Sequence, residues 1–218
     1  MARRFELLVF DWDGTLFDSA AAIVAAIQSS ARDLELPVPS EERARHVIGL
    51  GLGDALRFAV PDLPEARYPE IVDRYRHHYL GRDHELKLFA GAAELVAELA
   101  EAGFALAVAT GKSRAGLQRA FAASELGPFF HATRCADECF SKPHPQMLEE
   151  LMDELAVPAE RTLMIGDTTH DVQMAKNAGV GALAVSYGAH PAAQLESLAP
   201  LACVGDVAAL RAWLRAHA

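Results

Sequence analysis

The chain has 218 residues, of which 51% are hydrophobic and 23% charged, with a formal net charge of −10. That balance excludes a disordered polymer, which is poor in apolar residues. The negative charge excludes a broad nucleic-acid surface, which needs clustered Lys and Arg. The length suits one core domain plus a modest second module.

The first residues are basic, as in a signal peptide, but the apolar run that follows ends at Asp11. That is too short for a signal core or a membrane span, so a cytoplasmic protein with no membrane partner is expected. Leu7 to Phe10 reads as a buried strand that breaks into the turn Asp11-Trp-Asp-Gly14. Residues 18–86 then change rhythm. Asp18 or Ser19 can cap a helix with its apolar stripe at Ile23, Ile27 and Leu34; Ser40 can cap a second, and Tyr68 to Leu80 reads as another. No buried strand is predicted there.

Short apolar runs return at Ala105–Ala109, Leu163–Ile165 and Ala182–Val185, separated by helical patterns over 91–102 and 145–156. A last helix is predicted from near Asp206, burying Val207, Leu210 and Leu214. Alternating strands and helices predict an α/β fold, a doubly wound, mainly parallel sheet. Residues 18–86 are then a small helical insert in a core made of 1–17 and 87–218. Cys135, Cys139 and Cys203 form no framework spacing and read as reduced thiols.

The polar clusters stand at the ends of these strands. Asp11 and Asp13 follow the first, Thr110-Gly-Lys112 the second, and Asp167 and Asp171 the third, while Lys142 opens the helix before that third strand. In an open parallel sheet the ligand crevice lies at the carboxyl ends of the strands, so these clusters should converge. Four carboxylates at short range repel one another, and a hard divalent cation with oxygen ligands resolves this. Lys142 adds one positive charge and Thr110 a hydroxyl donor, a set suited to a phosphate. His170 reads as a partly exposed loop residue. Gly111-Lys-Ser113 fails as a phosphate-binding loop, because the earlier glycine it requires falls at Leu106. Gly49-Leu-Gly-Leu-Gly53 fails as a dinucleotide fingerprint, because Asp54 takes the place of the last glycine; it reads as a hinge or substrate loop.

With these residues in place the chain resembles the haloacid dehalogenase superfamily, in its phosphoglycolate-phosphatase-like branch. The resemblance rests on Phe10-Asp-Trp-Asp-Gly-Thr-Leu16, Ala109-Thr-Gly-Lys-Ser113, Ser141-Lys-Pro-His-Pro145 and Ile165-Gly-Asp-Thr-Thr-His-Asp171. It implies a Rossmann-like core, with residues 18–86 as a helical cap. It also implies Mg²⁺-dependent hydrolysis of a small phosphorylated metabolite through an aspartyl-phosphate. By the same resemblance Asp11 is the nucleophile and Asp13 the acid and base. Thr110, Gly111 and Lys142 hold the phosphoryl group. Asp11, the carbonyl of Asp13, and Asp167 bind the metal, and Asp171 orients Lys142 or a metal-bound water. Asp13 disfavours a dehalogenase, and the absence of lysine in residues 18–86 disfavours a phosphonate hydrolase. A sugar-phosphate mutase is the alternative, and a phospho-Asp signalling domain a remote one. Gly111 stands where many relatives carry Asn. Specificity is expected from Arg43, Arg45, His46 and the 49–53 loop, which leaves the physiological substrate open.

Overall fold

The computed structural model describes residues 4–82 and 86–218, so the first three residues and 83–85, near the end of the predicted insert, lie outside it. In chain order the elements are β1 (Leu7–Phe10), β2 (Phe17–Asp18), α1 (Ala20–Asp33), α2 (Glu41–His46), α3 (Leu52–Ala59), α4 (Tyr68–Gly81) and β3 (Lys87–Leu88). There follow α5 (Ala92–Glu101), β4 (Ala105–Thr110), α6 (Arg114–Ser124), β5 (Ala132–Cys135), α7 (Gln146–Leu155) and β6 (Thr162–Gly166). The chain ends with α8 (Thr169–Asn177), β7 (Gly181–Val185), α9 (Ala192–Ser197), β8 (Ala202–Val204) and α10 (Val207–His217).

Six strands form one sheet in the order β5-β4-β1-β6-β7-β8, and every pairing in it is parallel. Successive residues of a strand face opposite sides, and the core divides accordingly. Leu8, Phe10, Leu106, Val108, Leu163 and Ile165 pack on one face with α5 and α10. Leu7, Val9, Ala107, Ala109 and Met164 pack on the other with α7 and α8. Both faces are covered, which is why these strands read as unbroken apolar runs. The chain builds β4 and β5 on one side of β1 and then β6 to β8 on the other. The order therefore reverses at β1, and the crevice opens at its carboxyl end.

The helices α1 to α4 bury a separate apolar cluster that includes Ile23, Ile27, Ala44, Leu56 and Ile71. They leave and rejoin the core through an antiparallel ribbon, Phe17 opposite Leu88 and Asp18 opposite Lys87. Ser40 caps α2 by accepting from the Arg43 N–H, and Asp206 caps α10 by accepting from Ala209. Ser19 precedes α1 but does not cap it with its side chain, because its hydroxyl is used by Asp13. Two predicted starts need correction. Lys142 lies in the segment before α7 rather than opening it, and α3 begins inside the predicted 49–53 loop. No helix among the described residues is long and apolar enough to cross a membrane.

Candidate active site

At the carboxyl end of β1, Asp11 and Asp13 face the crevice while Trp12 between them turns into the core. Its indole packs against Phe17, Phe121 and Phe130. The backbone of Trp12 closes the turn by accepting N–H groups from Leu16 and Phe17. Gly14 has φ +81°, and a Cβ there would drive into the Asp167 carboxylate, so only glycine fits. β4 delivers Thr110, whose Oγ1 accepts the Lys112 N–H at 3.1 Å and whose O–H is left to donate to a ligand. β6 delivers Asp167, and the first turn of α8 delivers Asp171.

Asp11, Asp167 and Asp171 are buried together, with carboxylate oxygens within 4.8 Å of one another. Lys142 reaches between two of them, its Nζ 2.9 Å from Asp11 Oδ1 and 2.6 Å from Asp171 Oδ1. Asp171 is held further by Thr168, whose N–H and Oγ1 donate to Oδ2 at 3.0 and 2.6 Å. Asp167 accepts from Thr15 Oγ1 at 2.9 Å and from the Ala189 N–H at 2.7 Å. Asp11 differs from both. Its two oxygens are buried and accept no hydrogen bond of normal geometry.

The charges follow from this packing. Burial pushes Asp11 up to about 7, against the pull of Lys142, and the neighbouring carboxylates add to the rise. Asp167 is raised well above the usual carboxylate range, first by burial and then by Asp11 and Asp171. Burial alone would lower Lys142, but Asp11 and Asp171 outweigh it and raise the ammonium. Three carboxylates share one ammonium, so full ionisation leaves negative charge uncompensated. A hard divalent cation fits that deficit and the unpartnered Oδ2 of Asp11.

A measurable pH dependence results. The folded chain keeps protons that the unfolded chain has released, so metal-free stability falls as pH rises from about 4 toward 7. Mg²⁺ bound by these carboxylates would compete with those protons and raise the melting temperature more at pH 8 than at pH 5.5. At about a hundredfold excess over its Kd the gain is ~2.7 kcal/mol. For a chain of this size that is roughly 5–10 °C. Equal Mg²⁺ shifts at the two pH values would argue against ionised carboxylates as the ligands.

Residues 8–185 match the model of the family described as haloacid dehalogenase-like hydrolase. The chain belongs to that family. As an enzyme, this haloacid dehalogenase-like hydrolase is a phosphatase. It is 37% identical over 201 residues to a protein of Dickeya dadantii named "Probable phosphatase IndB", covering 89% of this chain and 86% of that one. It is 33% identical to a phosphoglycolate phosphatase of Pectobacterium atrosepticum, covering 83% and 80% of the two chains. Its fold superposes on a hydrolase of Pseudomonas syringae with a TM-score of 0.88 at 21% identity, over 97% and 98% of the two chains.

In this hydrolase Asp13 stands apart from the three clustered carboxylates. Its Oδ1 accepts from Ser19 Oγ at 2.6 Å and lies 3.0 Å from Lys112 Nζ. Both contacts use Oδ1, so Oδ2 is free of protein partners among the described residues. Lys112 also donates to Tyr79 Oη of α4 at 2.9 Å and so ties the helical insert to the acid. The sequence placed Lys112 in the polar cluster after the strand that ends at Ala109, but neither its link to Tyr79 nor that of Ser19 to Asp13 was legible there. Gly111 has a structural reason to be glycine: a Cβ would sit 2.5 Å from the Leu50 carbonyl and 2.6 Å from that of Gly49. Backbone of the insert fills the space that a side chain at 111 would need. Gly111→Ala should therefore push the 49–50 segment away, keeping the fold but raising KM roughly tenfold, in line with overpacking costs of about 1–3 kcal/mol. Unchanged Michaelis constants would show that this contact is dispensable in turnover.

The expected specificity residues divide. The 49–53 segment lines the cavity beside Asp13, but Arg45 and His46 line a separate one, shared with Ser186, Gly188 and His190 of the core. Arg45 pairs with Glu41, and Arg43 donates to the Phe58 carbonyl. His170, predicted as a partly exposed loop residue, sits on α8 with its ring packed against His46 and His190. Both His170 Nε2 (2.7 Å) and His190 Nε2 (3.2 Å) meet the His46 carbonyl, and His190 Nδ1 accepts the Thr169 N–H. Burial lowers His170, and lowers His190 to about 4, so both rings are neutral and donate from Nε2. The three rings thus clasp the end of α2 to the core.

Proposed function

We propose that the chain is a Mg²⁺-dependent phosphomonoesterase of small metabolites that works through a phosphoryl group carried on Asp11. The observation that carries this reading is Asp11 itself, a buried carboxylate beside two further carboxylates, with Oδ1 facing the Lys142 ammonium and Oδ2 without a partner among the described residues. Asp11, Asp167 and the carbonyl of Asp13 would hold the cation. When bound, it neutralises charge on the carboxylates and on the phosphoryl oxygens.

The chain's own groups supply the rest. A carboxylate oxygen of Asp11 attacks phosphorus, the bond to the ester oxygen breaks, and Asp13 gives that oxygen a proton. Asp13 then takes a proton from water, whose oxygen attacks phosphorus, and the bond to Asp11 breaks to release phosphate. Thr110 donates to a phosphoryl oxygen, Gly111 lets backbone approach it, and Lys142 offsets its charge. Asp171 keeps Lys142 aimed at Asp11. Residues 18–86 form a cap over the core of 1–17 and 87–218, and the contacts of Lys112 with Tyr79 and of Ser141 Oγ with the Gly51 N–H support a closed position.

Incubation with Mg²⁺ and a panel of metabolite phosphates should release inorganic phosphate. A mutase instead converts a sugar phosphate to its isomer with little free phosphate, so product analysis separates the two readings. A stable phospho-Asp11 without turnover would point to a signalling domain.

A further inference from the structure

Beside Asp13 lies a cavity of about 430 Å³ between the helical insert and the core. Sites of roughly 300–1,000 Å³ enclose ligands of drug size, so a two-carbon alcohol would occupy only a small part of this one. Its walls are mainly apolar: Ile23 and Ile27 from α1, Leu50 and Leu52 from the segment entering α3, and Leu80 from α4. Two tyrosines of α4 complete them, Tyr75 and Tyr79, stacked at 5.7 Å and 12°.

The charges are placed unlike those of a site for a small acid. Arg57, Arg76 and Arg119 are exposed and line only the outer part. Arg57 stands 3.6 Å from Asp54, and Arg76 3.7 Å from Asp73. Inside, the cation is Lys112, already held by Asp13 and Tyr79. The Tyr75 hydroxyl has no hydrogen-bond partner among the described residues and lies near enough to Lys112 and Asp13 to feel both charges. Burial raises its ionisation far above the ordinary tyrosine value, so it stays a neutral donor at any working pH. The Tyr75 hydroxyl lines the cavity with its proton free to be donated, so an acceptor on a ligand can take that hydrogen bond.

Resting on the phosphatase reading above, we infer that this chamber is the leaving-group subsite, and that it takes phosphomonoesters of ring-bearing alcohols with a polar acceptor facing Tyr75. The flat ring lies against the tyrosine pair and the aliphatic wall, with the ester oxygen toward Asp13 Oδ2. Tyr75 is a specificity residue.

The test uses the full chain with Mg²⁺ and four substrates whose leaving groups are alkyl alcohols: 2-phosphoglycolate, ethyl phosphate, benzyl phosphate and thymidine 5′-phosphate. The expected kcat/KM for the two ring-bearing esters is at least tenfold above that for the two small ones. In Tyr75→Phe the ratio of thymidine 5′-phosphate to benzyl phosphate should fall about tenfold, because only the former offers an acceptor. Phosphoglycolate or ethyl phosphate turned over as well as benzyl phosphate would overturn the inference and leave the phosphatase reading standing. A ratio unmoved by Tyr75→Phe would remove Tyr75 from it. No phosphate from any of the four would overturn this inference, and release from other esters of the metabolite panel would leave the phosphatase reading standing.

Discussion

Asp11→Asn is expected to lower phosphate release by at least about three orders of magnitude while leaving the protein as stable as before or more so. The loss is the size seen when a covalent nucleophile is removed. The gain has a separate cause. Asp11 is buried beside two other carboxylates, and burial and repulsion together hold its carboxyl at about 7. An amide of the same shape removes a charge that costs stability when ionised at neutral pH without metal. The metal-free melting temperature should rise by a few degrees, roughly 1–2 kcal/mol for a chain of this size. Mg²⁺ should then shift it less than in the wild type. Calorimetry and phosphate assays on one preparation check both effects. A variant that still turns over at wild-type rate would sink the nucleophile.

Lys142→Met should also damage turnover, though less than Asp11→Asn, and act in the opposite direction on stability. The Lys142 side chain has no solvent exposure, and its Nζ separates Asp11 from Asp171. Without it, two buried carboxylates confront each other with no counter-charge. Breaking one partner of a buried ionic group costs about 3–5 kcal/mol, roughly 6–20 °C here. The rate should fall by about 10²–10³, the usual loss on removing one electrostatic stabiliser. Lys142→Arg should not rescue it, since a planar guanidinium does not fit where a compact ammonium is enclosed. A Lys142→Met protein that melts with the wild type would mean that the lysine carries no structural charge.

Much of this site is readable from residues alone, and the reason is topological. In a parallel sheet, polar residues that interrupt apolar runs at strand ends must meet at one edge, so Asp11, Thr110 and Asp167 announce a common crevice. The same logic fails at the margins of the sheet. β5 carries Thr133 and Arg134, and Arg134 pairs with Glu150 and Glu154 of α7, so the strand lacks an apolar signature. β8 is three half-buried residues at the other edge. The helix α3 contains Gly53 and Asp54 in its first turn and holds together by packing Leu56 and Ala59. Contacts between the insert and the core were the least legible. Tyr79 and Lys112 belong to different elements, and no local pattern ties the hydroxyl of one to the ammonium of the other. Arg45 and His46 looked suitable by residue type, but they line a cavity separate from the one beside Asp13.

The paired strands β2 and β3 carry a consequence for how such a protein can diversify. Phe17 and Leu88 sit side by side, so everything between them is a loop whose ends are already joined. The entropy of closing it depends only weakly on its length. A segment of different size or fold could be grafted at the same ribbon with little disturbance to the sheet. The hydrolytic machinery and the chamber that chooses the alcohol are therefore separable parts, free to change at different rates, and a chimaera exchanged at Phe17 and Leu88 would carry its donor's preference on this chain's chemistry.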